Sequence, residues 1–338
     1  MTKKTSVAST PSLTKKAVAP VYMFPRRHTS IRALWFSLTL VIIVGLVISG
    51  VIALIINYLL KNAHFSPEMT NAAVPAVTTL DVHRSSLYAG LEISVKNAQY
   101  ASSFEDDTIP SSVGVVRLNM QIANPTSNQV GVLYYDVARL LAPHMQLVAP
   151  SNVHLSAEVQ PGKNDTGWID FPFPDHVQLD TLTLQLGSAS LHETIVVIPL
   201  KGNFDSGHFL NKSSPQSLLV SYNFHGNILS YHLKSVDVLY AYQGNQAKIG
   251  QQFYVLNFLV DNANGIDVAP GFGYDYIRLV VQGYNQPPGD STLPATFKRG
   301  AHGVSGQVVF AAPAKMKTLT IGFRSQFGGS QQNYDVNL

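Results

Sequence analysis

The chain contains no cysteine among its 338 residues. Disulfides, zinc–thiolate sites, iron–sulfur clusters and cysteine nucleophiles are therefore excluded. Any folded domain in this chain must be stabilised by its hydrophobic core without covalent cross-links.

The sequence also lacks the motifs that mark common enzyme classes. It has no Gly-x-Ser-x-Gly elbow, Walker loop, dinucleotide fingerprint or His-Glu-x-x-His. His192-Glu193 stands without a third ligand at metal-binding spacing, and Gly303 to Gly306 merely precedes a strand. We therefore expect no catalytic, cofactor-binding or metal-binding residues, and no enzymatic activity. An enzyme with an unrecognised site is the third hypothesis for the function.

Acidic residues are absent from the first 32 positions, which hold seven of the 23 Lys and Arg residues. The rest of the chain is slightly acidic, so a nucleic-acid-binding surface is not expected there. Residues 1–32 are predicted to be a disordered basic cytoplasmic tail.

A charge-free apolar run follows at residues 33–60, and Asn57 is its only strongly polar member. About 20 such residues span a bilayer as a helix. A cleaved signal peptide would have a core of about 7–15 residues, so the run favours an uncleaved signal anchor. The positive-inside rule puts the N-terminus in the cytoplasm and the C-terminal domains outside the plasma membrane.

The remaining chain shows the period-two alternation of strands with one buried face. We expect an all-β fold: two tandem immunoglobulin-like β-sandwiches after one N-terminal transmembrane helix. The predicted parts are a stalk at 61–78, a first sandwich at 79–200, a linker at 201–216 and a second sandwich at 217–338.

Internal repetition is the strongest observation. The segments starting at Leu118, Tyr135, Gly167 and Thr181 reappear at Leu256, Tyr274, Gly306 and Thr318, with offsets between 137 and 139. The core-facing alternation also matches between the copies. The opposite face does not, because Arg117 and Gln121 become Val255 and Leu259. This more apolar face is either an inter-domain contact, which we favour, or a binding surface.

Several landmarks recur along the first copy: a strand ending in Asn124, the Pro161-Gly162 turn, and Gly167-x-x-x-Phe171 with Pro174. This pattern resembles a family of bacterial extracytoplasmic domains with a telokin-like, immunoglobulin-like β-sandwich fold and no common activity. The second copy has Asn262, Gly306, Phe310 and Pro313, but Arg299-Gly300 in place of Pro-Gly. The Asn124-Pro125-Thr126 segment is also similar to the Asn-Pro-Asn segment of late-embryogenesis and water-stress β-sandwich domains.

Together these features predict a membrane-anchored extracytoplasmic protein with a non-enzymatic binding or structural role at the cell envelope. Its partners would be the bilayer, through residues 33–60, and a protein or envelope component. The alternative is a stress-protective envelope protein of the water-stress type.

Three groups are the remaining candidates for ligand binding. The acidic segment Glu105-Asp106-Asp107 and the turn 261–267 have some features of calcium sites, but a solvated loop and a hairpin turn explain them more simply. Trp168, Tyr274 and Tyr276 could stack on glycans, although core packing is the expected role for large aromatics.

Overall fold

The computed structural model describes residues 76–106, 114–143, 146–173, 177–324 and 330–338. In this part of the chain almost all regular structure is antiparallel β-sheet, which confirms the all-β prediction. The helices found there are α1 (Tyr134–Val137), α2 (Gly273–Tyr276) and a single 3-10 turn (Leu179–Thr181).

Ten strands form the first half, here called module 1. They are β1 (Thr78–Tyr88), β2 (Leu91–Ala101), β3 (Gly114–Ala123), β4 (Val130–Gly131), β5 (Ala138–Leu141), β6 (Asn152–His154), β7 (Glu158–Val159), β8 (Asn164–Phe173), β9 (Thr183–Leu186) and β10 (Val196–Pro199). One sheet has the order β1-β2-β3-β8-β6 and the other β10-β9-β5. Strands β4 and β7 form a separate short pair.

Eleven strands form the second half, module 2. They are β11 (Lys212–Phe224), β12 (Asn227–Leu239), β13 (Ala241–Tyr242), β14 (Asn245–Gln246), β15 (Gln251–Asp261), β16 (Ile277–Val281), β17 (Tyr284–Gln286), β18 (Asp290–Ser291), β19 (Val304–Pro313), β20 (Thr318–Arg324) and β21 (Gln331–Asn337). The large sheet has the order β11-β12-β15-β19-β18, and the second sheet β17-β16-β20-β21. Strands β13 and β14 form a separate hairpin.

Each module has its own hydrophobic core between its two sheets. The core-facing sets predicted from the alternation are fully buried: Val116, Leu118, Met120 and Ile122 on β3, and Tyr254, Leu256, Phe258 and Val260 on β15. Successive side chains of a strand point to opposite faces, so this pattern requires a sheet with one face on the core. The sandwich-like arrangement follows from two such faces packing together.

The glycine of the Gly-x-x-x-Phe motif has a steric explanation in both modules. A Cβ on Gly167 would overlap the carbonyl oxygen of His154 on the neighbouring strand β6. A Cβ on Gly306 would lie 2.5 Å from Leu293 Cδ2 and 3.0 Å from Leu293 Cα. The glycine therefore allows the neighbouring chain to approach the strand closely. That chain is β6 in module 1 and the segment containing Leu293 in module 2.

The linker is shorter than predicted, because β11 begins at Lys212, inside the segment 201–216. Pro215 signalled a break, yet it lies in β11, next to a register shift between Pro215 and Leu218. This strand is at the edge of its sheet, where a residue without a backbone N–H is tolerated. At the other end β1 starts at Thr78, the last residue of the predicted stalk.

The predicted tail (1–32), signal anchor (33–60) and residues 61–75 of the stalk lie outside the described residues. No helix within the described segments combines the length and apolar character that crossing a bilayer requires.

Candidate functional site

The acidic segment around Asp106 forms an ion-pair cluster on the outer face of module 1. The Arg117 guanidinium donates to both oxygens of Asp106 at 2.8 and 2.9 Å, and to Asp170 at 2.8 and 2.9 Å. Burial alone would lower the pKa of Arg117, but hydrogen bonds to Asp170 and Asp106 raise it above its usual range. Asp106 lies in an exposed turn, with its side chain 44% exposed, and pairs with Arg117 there; Asp107 lies outside the described residues.

Two aromatic rings lie against the same guanidinium. Its carbon is 4.1 Å from the centroid of the Phe104 ring and 4.6 Å from that of Trp168. The Trp168 ring also stacks on His154, with centroids 4.0 Å apart. Trp168 thus packs neither in the core nor as an open stacking platform, because Arg117 and His154 lie against its ring.

Module 2 has a pair of valines where module 1 has this ion pair. Arg117 lies opposite Asp170 in the sheet, and Val255 lies opposite Val309 in the corresponding register. Both valines are buried, so the face is more apolar, as the sequence predicted. The hydrogen bonds between the modules, however, are formed elsewhere, and the preferred assignment of this face as the inter-domain contact gains no support.

The modules are joined by the segment that contains the β13–β14 hairpin. The Ala89 N–H donates to Gln246 Oε1 at 2.9 Å, and the Thr194 N–H donates to the Ala247 carbonyl at 2.8 Å. The Ile249 N–H donates to the His192 carbonyl at 2.8 Å. The His192-Glu193 segment therefore belongs to a structural joint, which its sequence did not indicate.

The turn 261–267 is organised by Asn262, which is fully buried. Its amide donates to the carbonyls of Ile266, Phe297 and Lys298 at 2.9–3.0 Å, and its oxygen accepts from the Asn264 N–H at 3.1 Å. Asn124 does the same in module 1, donating to the Asn128 and Val159 carbonyls at 2.8 Å. In each tight turn the asparagine side chain forms the hydrogen bonds that other backbone groups would otherwise have to form. This explains why an asparagine is part of both motif patterns.

The turn's carboxylates bind protein groups rather than converging on one point. Asp261 accepts from the Gly303 N–H at 2.7 Å and lies 3.1 Å from His232 Nε2. Asp267 accepts from Lys298 Nζ and from the Arg299 N–H, both at 2.9 Å. No group of three or more His, Asp or Glu side chains suited to a metal occurs among the described residues.

A concave site with a volume of about 520 Å³ lies at one end of module 2. We call it the module-2 pocket; it is lined mainly by Tyr222, Phe224, Pro270, Gly271, Tyr274, Asp275, Tyr276, Arg278 and Arg324. Three short stretches of backbone build it: the end of β11, the chain leading into α2, and the end of β20. Because these three stretches lie about 50 residues apart in sequence, no local sequence motif identifies the site.

The aromatic lining has a buried base and an exposed rim. Tyr222 and Tyr276 are buried and stacked, with ring centroids 5.1 Å apart. The Tyr222 hydroxyl donates to the Arg324 carbonyl at 2.8 Å, and the Tyr276 hydroxyl is 2.8 Å from that of Tyr231. Tyr274 is 41% exposed, and Phe224 is half-buried. Of the predicted stacking residues, Tyr276 is thus in the core, whereas Tyr274 presents its ring at the pocket.

Two arginines make the module-2 pocket electropositive. Arg278 donates to the carbonyls of Tyr274 and Ile277 at 2.8 and 2.7 Å. Burial and the charge of Arg324 lower the pKa of Arg278 below its usual range. Asp275, the one acidic lining residue, accepts from the Phe272 N–H at 2.7 Å. The Arg324 side chain has no hydrogen bond or ion pair with any described residue.

A corresponding cavity of about 480 Å³, the module-1 pocket, lies at the same place in module 1. Its lining includes Tyr88, Asp136 and Arg139 where the module-2 pocket has Phe224, Asp275 and Arg278. Arg139 donates to the Tyr135 and Ala138 carbonyls, as Arg278 does to its own two carbonyls. The two pockets therefore share one backbone design.

Other parts of the chain contribute polar groups to the lining of the module-1 pocket. The Glu193 carboxylate accepts from the Tyr88 hydroxyl at 2.9 Å and from the Ser188 N–H at 2.7 Å. Gly244 of the β13–β14 hairpin also contributes to its lining. In the described chain the module-2 pocket is lined by module-2 residues alone.

Comparison with known proteins adds little. No protein-family model matches the sequence, and no curated protein matches it. A similar solved structure is the crystal structure of a functionally unknown protein from Listeria monocytogenes EGD-e, with 16% identity and a TM-score of 0.29. The match covers 37% of this chain and 88% of that chain, and similarity at this level supports no conclusion about fold or function.

Proposed function

We propose that the chain is a membrane-anchored extracytoplasmic protein that binds a small ligand through the module-2 pocket and has no catalytic activity. The single observation that carries the proposal is the contrast between the two pockets. Module 1 places its own carboxylate, Glu193, at the site, whereas the described lining of the module-2 pocket has Arg278 and Arg324, with Asp275 as its acidic residue. A pocket of 300–1,000 Å³ with apolar walls and a few polar groups is typical of ligand sites.

We further propose that the modules are tandem copies of one immunoglobulin-like sandwich. The strand orders β1-β2-β3-β8-β6 and β11-β12-β15-β19-β18 support this, because they list corresponding strands in the same sequence. A four-residue helix precedes the first strand of the second sheet in both modules. The four repeated sequence segments fall on these same elements.

A binding role fits the chemistry of the described lining better than catalysis. Arg278 is held by backbone carbonyls, Asp275 by a backbone N–H, and Tyr222 by the Arg324 carbonyl. Such groups can hold a charged or aromatic ligand, but they include no nucleophile paired with a base. The buried Asn124 and Asn262 have a structural explanation, so no observation specifically favours the water-stress alternative.

Membrane attachment rests on the sequence of residues 33–60 and on the basic tail before it. A tag after Leu338 tests the orientation in the native membrane. We expect protease added outside the plasma membrane to remove the tag and to leave residues 1–32 intact. Protection of the tag in sealed cells, with digestion only after lysis, would contradict the proposed orientation.

The binding role is tested by a thermal-shift screen of envelope sugars and metabolites on the full-length protein in detergent. Tyr274→Ser removes an exposed ring from the module-2 pocket. Tyr284→Ser is the matched control, because Tyr284 is 79% exposed and does not line that pocket. We expect ligands that stabilise the protein to lose their effect with Tyr274→Ser and to retain it with Tyr284→Ser. The proposal would be contradicted if every stabilising ligand kept its full effect with Tyr274→Ser.

A further inference from the structure

We propose that the module-2 pocket binds the carboxylate of an acidic sugar of the hexuronate class. In this arrangement Arg324 pairs with the carboxylate while Phe224 and Tyr274 pack against the sugar ring. The inference rests on the proposed function and specifies the ligand of the same site.

The first argument is that module 1 already holds a carboxylate at the corresponding place. Glu193 supplies it, bound by the Tyr88 hydroxyl and the Ser188 N–H. Tyr88 is the last residue of β1, as Phe224 is the last residue of β11. The backbone design shared by both pockets is thus compatible with a negatively charged group in this position.

The second argument is the position of Arg324. Leu186 pairs with Ala138, the first residue of β5, and Phe323 pairs with Ile277, the first residue of β16. The next residues, Gly187 and Arg324, therefore correspond. In module 1, Gly187 is followed by Ser188, whose N–H donates to the Glu193 carboxylate. In module 2 the position of Gly187 is occupied by the cationic Arg324.

The third argument is that module 2 supplies no carboxylate of its own in the corresponding segment. Glu193 lies between β9 and β10, and the equivalent connection is residues 325–330, between β20 and β21. That stretch of sequence, Ser-Gln-Phe-Gly-Gly-Ser, contains neither Asp nor Glu. The sequence of this connection therefore offers Arg324 no equivalent of Glu193, and in the proposed arrangement a ligand carboxylate takes that role.

The electrostatics of the pocket favour an anion over a neutral ligand. The Arg324 charge disfavours the protonated form of Arg278, and Asp275 offsets this only in part. A carboxylate near both arginines removes that repulsion and accepts charge-assisted hydrogen bonds from a guanidinium fork.

The walls favour a ring over a flexible chain. Phe224 and the 41% exposed Tyr274 line the pocket together with the stacked Tyr222 and Tyr276 rings. A volume of about 520 Å³ holds one or two sugar rings, but not a folded protein segment. A saturated ring that bears a carboxylate matches both the cationic end and the aromatic walls.

The test is calorimetric titration of the full-length protein in detergent with glucuronate, galacturonate and glucose. We expect both uronates to bind and glucose to bind at least about tenfold more weakly, since it lacks the charge that pairs with Arg324. Tetragalacturonate compared with galacturonate distinguishes an envelope polymer from a free sugar acid as the source of the ligand.

Arg324→Gln is expected to weaken uronate binding by about tenfold or more, whereas Arg324→Lys retains part of the affinity. Lys317→Gln is the matched control, because it removes one exposed positive charge outside the pocket. If Arg324→Gln does not fold, the contrast among wild-type protein, Arg324→Lys and the neutral sugar remains decisive.

Three results would overturn the inference. The first is uronate binding that is absent at millimolar concentration, and the second is binding that is unchanged in Arg324→Gln. The third is self-association that Arg324→Gln abolishes, because the pocket would then accept a second copy of the chain. A neutral ligand whose binding depends on Tyr274 but not on Arg324 would refute the acidic-sugar assignment and leave the proposed binding function standing.

Discussion

The ion pair between Arg117 and Asp170 on the outer face of module 1 is buried. Replacing Arg117 by valine tests how much this pair stabilises the module. The side chains of Arg117 and Asp170 are only 8% and 3% exposed, and their atoms are 2.8 Å apart. Arg117→Val removes the ion-pair partner of the buried Asp170 carboxylate. Breaking a buried pair in this way costs about 3–5 kcal/mol, so we expect that loss in the free energy of unfolding of module 1.

The double variant Arg117→Val, Asp170→Val is expected to be more stable than either single variant. Val255 and Val309 occupy the corresponding cross-strand positions in module 2, so the backbone accepts two valines there. The double variant still loses the contact of the guanidinium with Phe104 and Trp168, which is worth about 1–2 kcal/mol. We therefore expect a net cost of at most about 2 kcal/mol.

The assay is guanidinium unfolding of the full-length protein, followed by tryptophan fluorescence in a Trp35→Phe background. The chain has two tryptophans, so Trp168 then reports on module 1 alone. Lys201→Val is the control, since its pair with Asp180 is exposed and should contribute less than about 1 kcal/mol. A double variant as destabilised as the sum of the two single variants would refute the reasoning, because the two charges would then not act as a unit.

Three further variants test individual contacts. Asn262→Ala should lower the stability of module 2 by about 2–4 kcal/mol in denaturant titrations, whereas Asn264→Ala at the turn surface should cost less. Asp261→Asn should lower the melting temperature at pH 7. The Gly303 N–H and His232 lower the pKa of Asp261, so the charged form stabilises the fold above the ordinary pKa. That stability is lost as the pH falls through the lowered pKa, and the gap between Asp261→Asn and wild type should close in melting curves as the pH falls from the ordinary pKa of an aspartate through the lowered one. An unchanged gap would show that the carboxylate charge is irrelevant. Gly167→Ala should speed amide exchange in β6, because the new methyl group displaces the His154 carbonyl.

The strands and the cores could be predicted because they depend on short-range pattern. A period of two assigns every second residue of β3 and β15 to the core, and those residues are buried. The turn glycines behave similarly. Gly162 and Gly300 both have φ of +66°, although one follows a proline and the other an arginine. The left-handed backbone requires glycine there, and the proline is dispensable.

The module-2 pocket could not be predicted, because its lining comes from three distant points of the chain. Tyr274 was identified as a candidate from its sequence, but Arg324 was not. Arg324 lies just beyond the repeated segment starting at Thr318. The strand registers align Arg324 with Gly187, and the ends of β11 and β1 align Tyr222 with Ser86. The differences between the two copies, rather than their similarities, therefore indicate where the pocket lies.

That difference indicates how the two modules divide their roles. In module 1 the pocket contains Glu193, and neighbouring residues Thr194 and His192 bind the β13–β14 segment by backbone hydrogen bonds. One turn thus supplies the carboxylate at this site and joins the modules. In module 2 the same backbone design has aromatic rings and an arginine without a described partner. We therefore expect the proposed ligand binding to reside in module 2.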